Sequence, residues 1–224
     1  MTAAYISEKQ DTSLKPRISF DKLFWVFVIG CISGVIVEGL FCLIQKGHWE
    51  SHVVSVWGWF NLLYGAGAVG FYVGAAKMCK KPIWLQVFIM TMTATLIELI
   101  CGMILKYGIG MKAWDYSNQF LNLDGLICPS FMLVWAAMAL TVCILFRFFD
   151  SFLARLEQRK IHIFAVLFSI ILCLNFIMTA FSIVRWSERH YGLPNCSLID
   201  TILDTAADDN WMGERFIEWR FIDE

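Results

Sequence analysis

The sequence has few charged residues: Asp, Glu, Lys and Arg make up 17% of its 224 residues, against about 25% in a soluble domain. Its 18 basic and 19 acidic residues nearly cancel, so no strong positive field points to a nucleic-acid partner, and we expect none. Hydrophobic residues make up 58% of the chain and lie in long blocks. This pattern predicts an all-α integral membrane protein.

Motifs that mark enzymes and cofactor sites are also missing. We find no G-x-x-x-x-G-K-[ST] segment, no H-E-x-x-H segment and no C-x-x-C pair, and therefore predict no catalysis and no cofactor. His48 and His52 would share a helical face, but their segment holds no third ligand, so we predict no metal site. Five of the eight cysteines lie inside apolar blocks, where a thiol behaves as a small hydrophobic group: Cys31, Cys42, Cys101, Cys143 and Cys173.

Five apolar blocks are long enough to cross a bilayer as helices, which takes about 20 residues. They are Lys22–Ile44, Ser55–Met78, Pro82–Leu105, Leu126–Phe149 and Ile161–Val184. Basic residues are concentrated before the first block, after the second and between the fourth and fifth, which places the N-terminus inside. We predict a multi-pass protein of the cell membrane, a bundle of five transmembrane helices.

The predicted organisation has three parts. Residues 1–21 form a cytoplasmic N-terminal tail, residues 22–185 form the five-helix transmembrane domain, and residues 186–224 form an extracytoplasmic C-terminal tail. The last part carries the aromatic run "WMGERFIEWRF", which predicts an amphipathic segment at the outer membrane interface. The alternative is a partly ordered tail with interfacial aromatic residues.

Two glutamates, Glu38 and Glu98, lie inside predicted spans, where an ionisable side chain is costly unless it is paired, protonated or hydrated. With a helical rise of about 1.5 Å per residue, both fall in the outer half of the bilayer. Asn61 and Tyr64 of the second block fall at the same depth. We expect an outward-opening polar cavity that binds a small polar or cationic ligand. In the alternative interpretation, each glutamate is a hydrogen-bonded packing element.

The segment "KAWDYSNQFLNLDG", residues 112–125, joins the outer ends of the third and fourth predicted helices. Trp114 and Tyr116 suit the membrane–water interface, and Asp115 and Asn122 are turn-forming residues. One interpretation is a lid over the cavity in which Asp115 and Asn122 contact the ligand. The other is an interfacial anchor that caps the following helix.

The same segment, continued as "WDYSNQFLNLDGLIC", resembles the W-D-Y-S…N-x-x-G-x-I-C loop of the CmpB-like ABC-transporter permeases. "VVSVWGWFNLLYGAGAV" is similar to their G-P-x-x-x-x-Y-G-x-G-A segment, although Trp59 replaces the proline and Leu126 replaces an arginine. The Gly-Trp pair that precedes the first family glutamate is missing as well. The resemblance marks Glu38, Gly58, Tyr64, Gly65, Gly67, Ala68, Glu98, Trp114, Asp115, Tyr116, Ser117, Asn122, Gly125, Ile127 and Cys128.

Two functions remain open. The first is a permease-like or substrate-binding transport component in the lipid bilayer, whose cytoplasmic segment Phe148–Lys160 would receive an ATPase or another membrane subunit. The second is a non-transporting receptor, assembly or regulatory module that binds a protein partner on its outer face. An intramembrane enzyme is disfavoured because no known catalytic motif accompanies the acids.

Overall fold

The computed structural model describes residues 16–223, so most of the predicted N-terminal tail lies outside the described residues. The described part is 70% helical. Its α-helices are α1 (Phe20–Lys46), α2 (Leu62–Met78), α3 (Ile83–Met103), α4 (Pro129–Ala154), α5 (Arg159–His190), α6 (Leu198–Ala206) and α7 (Asp209–Arg215). A π-helical turn, Ile104–Ile109, extends α3, and two short strands follow, β1 (Met111–Lys112) and β2 (Arg220–Phe221). The all-α prediction is confirmed.

Four helices in the described part of the chain, α1, α3, α4 and α5, are long and apolar enough to cross a membrane. The predicted span Ser55–Met78 is helical only from Leu62 onward, and α2 has 17 residues. That length corresponds to about 25 Å, at the lower limit for a transmembrane helix. Five crossings with the N-terminus inside therefore stay a prediction.

Side-chain contacts show that neighbouring helices run in alternating directions. At one end of the bundle, Lys22 at the start of α1 lies 2.7 Å from Asp150 near the end of α4. Tyr72, late in α2, donates to the same carboxylate. At the opposite end, Tyr64 at the start of α2 donates to Glu38, late in α1. We call this second end the loop end, because the long loops 47–61 and 113–128 lie there.

Small residues bring α1 and α2 into close contact, as the spacing of Gly30 and Gly34 predicts. A Cβ atom on Gly30 would lie 2.5 Å from Cβ of Ala68, and one on Gly34 would overlap the ring of Tyr64. Both added Cβ atoms would be far closer to their neighbours than van der Waals contact allows. The absence of side chains at these two positions therefore sets how closely the helices approach.

The C-terminal segment folds over the loop end instead of extending along the membrane interface. Strand β2 pairs antiparallel with β1, with Met111 opposite Phe221. Phe216 and Trp219 are buried in a cluster with Met111 and Trp186. The prediction of an interfacial aromatic segment is wrong for Phe216, Trp219 and Phe221, because protein side chains cover these rings.

Polar contacts also fasten this segment to the bundle. Arg185 of α5 binds Asp204 of α6 through two nitrogens, at 2.8 and 2.9 Å. This bidentate pairing, together with Arg189, holds the pKa of Asp204 well below its usual range. Arg215 of α7 donates to the backbone carbonyl of Ser55 in loop 47–61. The C-terminal segment is thus part of the folded unit, and we call residues 191–223 the cap.

Gly30→Ala should destabilise the protein by about 1–3 kcal/mol, since the added methyl group overlaps Ala68 and forces α1 and α2 apart. Gly70→Ala is the matched control in α2, where a Cβ meets no atom within 4 Å. The control should be neutral or slightly stabilising, because alanine favours helix by about 1 kcal/mol over glycine. Thermal unfolding of the purified variants in detergent measures both. Equal unfolding midpoints for the two variants would refute the close packing.

Candidate functional site

The predicted site residues lie at the loop end, in two groups. Glu38 belongs to the first group, on the face of α1 that meets α2. The Tyr64 hydroxyl donates to its carboxylate at 2.5 Å, and Nδ1 of His52 lies 3.5 Å from its other oxygen. Gly34 makes room for the Tyr64 ring directly against α1. Glu38 is thus fixed by one residue of α2 and one residue of loop 47–61.

Asn61 organises the surroundings of Glu38 without contacting it. Its side-chain oxygen accepts from the backbone N–H groups of Leu63 and Tyr64, which caps the start of α2. Its amide donates to the carbonyl of His52 at 2.9 Å. The Asn61 side chain therefore holds Tyr64 and His52, which are the two partners of Glu38, in fixed positions relative to each other.

Glu98 is the centre of the second group and is only 4% exposed. The indole N–H of Trp135 in α4 donates to one carboxylate oxygen at 2.8 Å. The hydroxyl of Tyr116 in loop 113–128 donates to the other at 3.0 Å. Both donors are neutral, and no lysine, arginine or histidine in the described part of the chain forms an ion pair with Glu98. The Glu98 carboxyl group therefore has hydrogen-bond donors but no counter-charge.

Two further polar groups lie on the same buried stripe of α3, one and two turns before Glu98. The hydroxyls of Thr91 and Thr95 are buried and have no hydrogen-bond partner among the described residues. Buried polar atoms in native proteins almost always have a partner, which includes water and bound ligands. The face that α3 turns into the bundle thus carries Thr91, Thr95, Glu98 and Gly102.

Loop 113–128 is held by its own side chains and aims Tyr116 at Glu98. Trp114 donates to the carbonyl of Leu126, Asp115 accepts from the backbone of Ser117, and Asn122 accepts from Gly125. Lys112 and then Ser117 lower the pKa of Asp115 to about 2, so it is ionised at neutral pH.

Of the four predicted site residues in this loop, Tyr116 alone reaches a glutamate in the structure. The polar atoms of Asp115 and Asn122 bond within loop 113–128 and to Lys112 beside it. That these two side chains contact a ligand stays a prediction.

The two groups adjoin at Tyr116. Burial, and then the charge of Glu98, raise the pKa of the Tyr116 hydroxyl, and the charge of Glu38 adds to the same effect. The phenol ring stacks on Phe131 with ring centres 4.2 Å apart, which fixes its direction. The Tyr116 hydroxyl is therefore influenced by the charge of Glu38 as well as that of Glu98.

A surface pocket lies away from these groups. Its volume is about 390 Å³, and it is lined by the π-helical turn and the end of α5, including Ile109, Ser187 and Tyr191. A smaller depression is lined by Gly102, Trp114 and Leu126. Neither pocket is lined by Glu38 or Glu98.

His52 also belongs to a third cluster, which the sequence did not predict. Its Nε2 atom lies 3.2 Å from Sγ of Cys42, and its Nδ1 atom lies 2.6 Å from Glu218 in the cap. Glu50 completes the group, in which one ligand atom from each residue lies within 4.8 Å of the others. Residues 48–61 are not helical. His48 and His52 therefore do not share a helical face, as the sequence interpretation of a metal site required.

Three functional partners were missed from the sequence: His52, Trp135 and Glu218. Trp135 could have been found, since an indole N–H early in the fourth block falls at the depth of Glu98. The spacing of His52 in the sequence indicates only a possible helical pair with His48. No sequence pattern marks Glu218 as a site residue. Nothing in the acidic C-terminal segment indicates that this segment folds back against a loop more than 160 residues earlier in the chain.

The family model described as "Putative ABC-transporter type IV" (ABC_trans_CmpB) matches residues 25–180, more than half of the chain. The matched range contains α2, α3, α4 and both glutamates, while the cap lies outside it. No curated protein and no solved structure gives a significant match.

Tyr116→Phe should lower stability by about 1–3 kcal/mol, because the buried Glu98 loses a donor while the ring keeps its stacking on Phe131. Tyr107→Phe is the matched control: its hydroxyl donates to Asp124 on the exposed surface. The control should change stability by less than about 0.5 kcal/mol. Chemical or thermal unfolding in detergent distinguishes them. A Tyr116→Phe protein as stable as the control would show that this hydrogen bond is not formed.

Proposed function

This chain belongs to the CmpB family of ABC-transporter proteins, and we propose that it is a permease-like or substrate-binding component with a site for a small cation at Glu38 and Glu98. At the coarser level it is a membrane protein of a transport-related family with four helices, among the described residues, able to cross a bilayer. The proposed ligand enters from the loop end.

The lack of a counter-charge for Glu98 among the described residues is the observation that carries the proposal. A carboxylate in a low-dielectric bundle is unfavourable unless a proton or a cation compensates its charge. Trp135 and Tyr116 supply hydrogen bonds without positive charge. A small cation beside Glu98 would remove that cost, and the nearby unpartnered hydroxyls of Thr91 and Thr95 would supply oxygen ligands or hold water.

Leu126 supports the same interpretation. The resembling family has arginine at this position, whereas the leucine here packs against Gly102, one helical turn beyond Glu98. An arginine would place a permanent positive charge close to the carboxylate. Its replacement by an apolar side chain leaves the site negative, which favours binding of a cation.

Glu38 would act as the second acid of the site. Its partners Tyr64 and His52 hold it on the inner face of α1, and Tyr116 senses the charge of both glutamates. A cation near Tyr116 would be attracted by both. The predicted lid residues Trp114, Asp115 and Asn122 then form the rim of the site. Asn61, the residue that caps the start of α2, positions Tyr64.

The proposed topology places the loop end outside and the opposite end in the cytoplasm, with α2 as a short fifth crossing. At the cytoplasmic end, the connection between α4 and α5 carries Arg155, Arg159 and Lys160. We propose that an ATPase or another membrane subunit docks there, on the segment Phe148–Lys160.

A second candidate function, a non-transporting module that binds a protein on its outer face, is favoured by helix α6 of the cap. Leu198, Ile199 and Ile202 on this helix are all more than half exposed. Such an apolar surface is suited to binding another protein. Copurification of an ATPase with the intact protein would favour transport over this alternative, and copurification of only extracytoplasmic proteins would favour the alternative.

A cation should stabilise the purified protein against heat, and Glu98→Gln should abolish the effect. The probes are the chlorides of sodium, potassium, choline and spermidine at matched ionic strength. At 100 times its Kd, the bound cation contributes about 2.7 kcal/mol. Differential scanning fluorimetry in detergent measures the shift. Glu38→Gln should weaken the effect, and Leu126→Arg should abolish it by supplying an internal counter-charge.

Glu214→Gln, which removes an exposed acid of α7, is the matched control and should respond like the original protein. If a cation stabilises the Glu98→Gln and Glu214→Gln variants equally, the site is not at Glu98. Unchanged uptake by cells that express normal amounts of the Glu38→Gln and Glu98→Gln variants would likewise contradict the proposal.

A further inference from the structure

Four potential metal ligands converge where the cap meets the bundle. They come from separate parts of the chain: Cys42 from the end of α1, Glu50 and His52 from loop 47–61, and Glu218 from the cap. Cys42 and His52 are almost fully buried. Thiolate, imidazole and carboxylate are the three ligand types that zinc prefers in proteins.

The two ring nitrogens of His52 have different surroundings. Nδ1 lies 2.6 Å from a carboxylate oxygen of Glu218 and 3.5 Å from Glu38. Nε2 faces Sγ of Cys42 at 3.2 Å. A carboxylate on one ring nitrogen fixes its proton there and leaves the lone pair of the other nitrogen for a metal, as in carboxylate–histidine–zinc groups. Nε2 is therefore the atom of His52 that can bind a metal.

We propose that Sγ of Cys42, a carboxylate oxygen of Glu50 and Nε2 of His52 bind a zinc ion, with Glu218 orienting the imidazole. Three protein ligands leave the fourth tetrahedral position for water. Loading releases the thiol proton of Cys42 to solvent, because the thiolate is the ligand. Its ligands do not include Glu98, so it does not depend on that residue, and the two proposed sites adjoin only where Glu38 lies 3.5 Å from Nδ1 of His52.

The distances fit such a site with little movement. A tetrahedral zinc ion with ordinary bond lengths separates a thiolate sulfur from an imidazole nitrogen by about 3.5 Å. The corresponding atoms of Cys42 and His52 lie 3.2 Å apart, and the whole cluster lies within 4.8 Å. Side-chain movements of about 1 Å or less would complete the coordination.

The charges also fit. Lys46 lies 2.6 Å from one carboxylate oxygen of Glu50, and His48 lies 2.9 Å from the other. Lys46 lies 4.0 Å from Glu218 as well. A divalent ion and the Lys46 ammonium together balance the formal charges of a Cys42 thiolate, Glu50 and Glu218. Lys46 is nearly half exposed, so its ammonium can release the Glu50 oxygen that binds the metal while it stays beside Glu218.

The site would fasten the cap to the membrane bundle. Cys42 belongs to a membrane-embedded helix, whereas Glu218 lies only two residues before strand β2. The orienting hydrogen bond from His52 to Glu218 therefore couples metal binding to the docked position of the cap. Metal removal should increase the exposure of the cap backbone, which hydrogen–deuterium exchange measures.

Cobalt titration of the intact purified chain in detergent tests the site. After EDTA treatment, Co²⁺ should bind with one equivalent and give a thiolate-to-cobalt charge-transfer band in the near ultraviolet, which Zn²⁺ then removes. Cys196→Ser is introduced throughout, because Cys196 is an exposed thiol of the cap. Elemental analysis should give one zinc per chain.

The variants separate ligands from the orienting residue. Cys42→Ser should lose the charge-transfer band, and His52→Ala should weaken cobalt binding by more than 100-fold. Glu218→Gln should keep the band with an affinity lowered about 10–100-fold, as expected for a residue that orients a ligand. Cys101→Ser and His162→Ala, which lie away from the cluster, are the matched controls and should bind cobalt normally.

Two results would overturn the proposal: no charge-transfer band at equimolar Co²⁺ in the otherwise unaltered protein, or the same band in Cys42→Ser. The first result requires no substitution other than Cys196→Ser, which is present throughout. Glu98→Gln should bind cobalt normally, so failure of the zinc site leaves the proposed cation site untouched, and the reverse also holds.

Discussion

The structure depends on one constraint: a carboxyl group inside an apolar helix bundle must obtain its hydrogen bonds from the protein. Glu98 meets it with an indole from α4 and a phenol from loop 113–128. Glu38 accepts a hydrogen bond from a phenol of α2 and lies 3.5 Å from an imidazole of loop 47–61. Each acid therefore contacts both a helix and a loop at the same end of the bundle.

The two acids differ in the charge that their hydrogen-bonding and neighbouring side chains can carry. Glu38 has an imidazole beside it, which can carry a positive charge, and that imidazole is in turn shared with Glu218 of the cap. Glu98 has only neutral donors. This asymmetry makes Glu98 the better candidate for an external cation and His52 the better candidate for a link between the bundle and the cap.

The cap gives the loop end a second layer. Its aromatic residues are buried against Met111 and Trp186, and Arg185 and Arg215 hold it through ionic and backbone contacts. The family match covers residues 25–180 and ends before the cap. The conformation of the cap and any metal it helps to hold are therefore features that the family match does not explain.

The sequence by itself determined the membrane character, the four long helices α1, α3, α4 and α5, and the end of the bundle where polar residues gather, because apolar block length and helical periodicity are local properties. It also identified Glu38, Glu98 and Tyr116. It could not assign the partners of those acids, since Trp135 and His52 reach them through packing between helices. Tertiary structure alone decided that the cap folds back and places Glu218 against His52, because such contacts depend on chain direction in space and not on spacing in sequence.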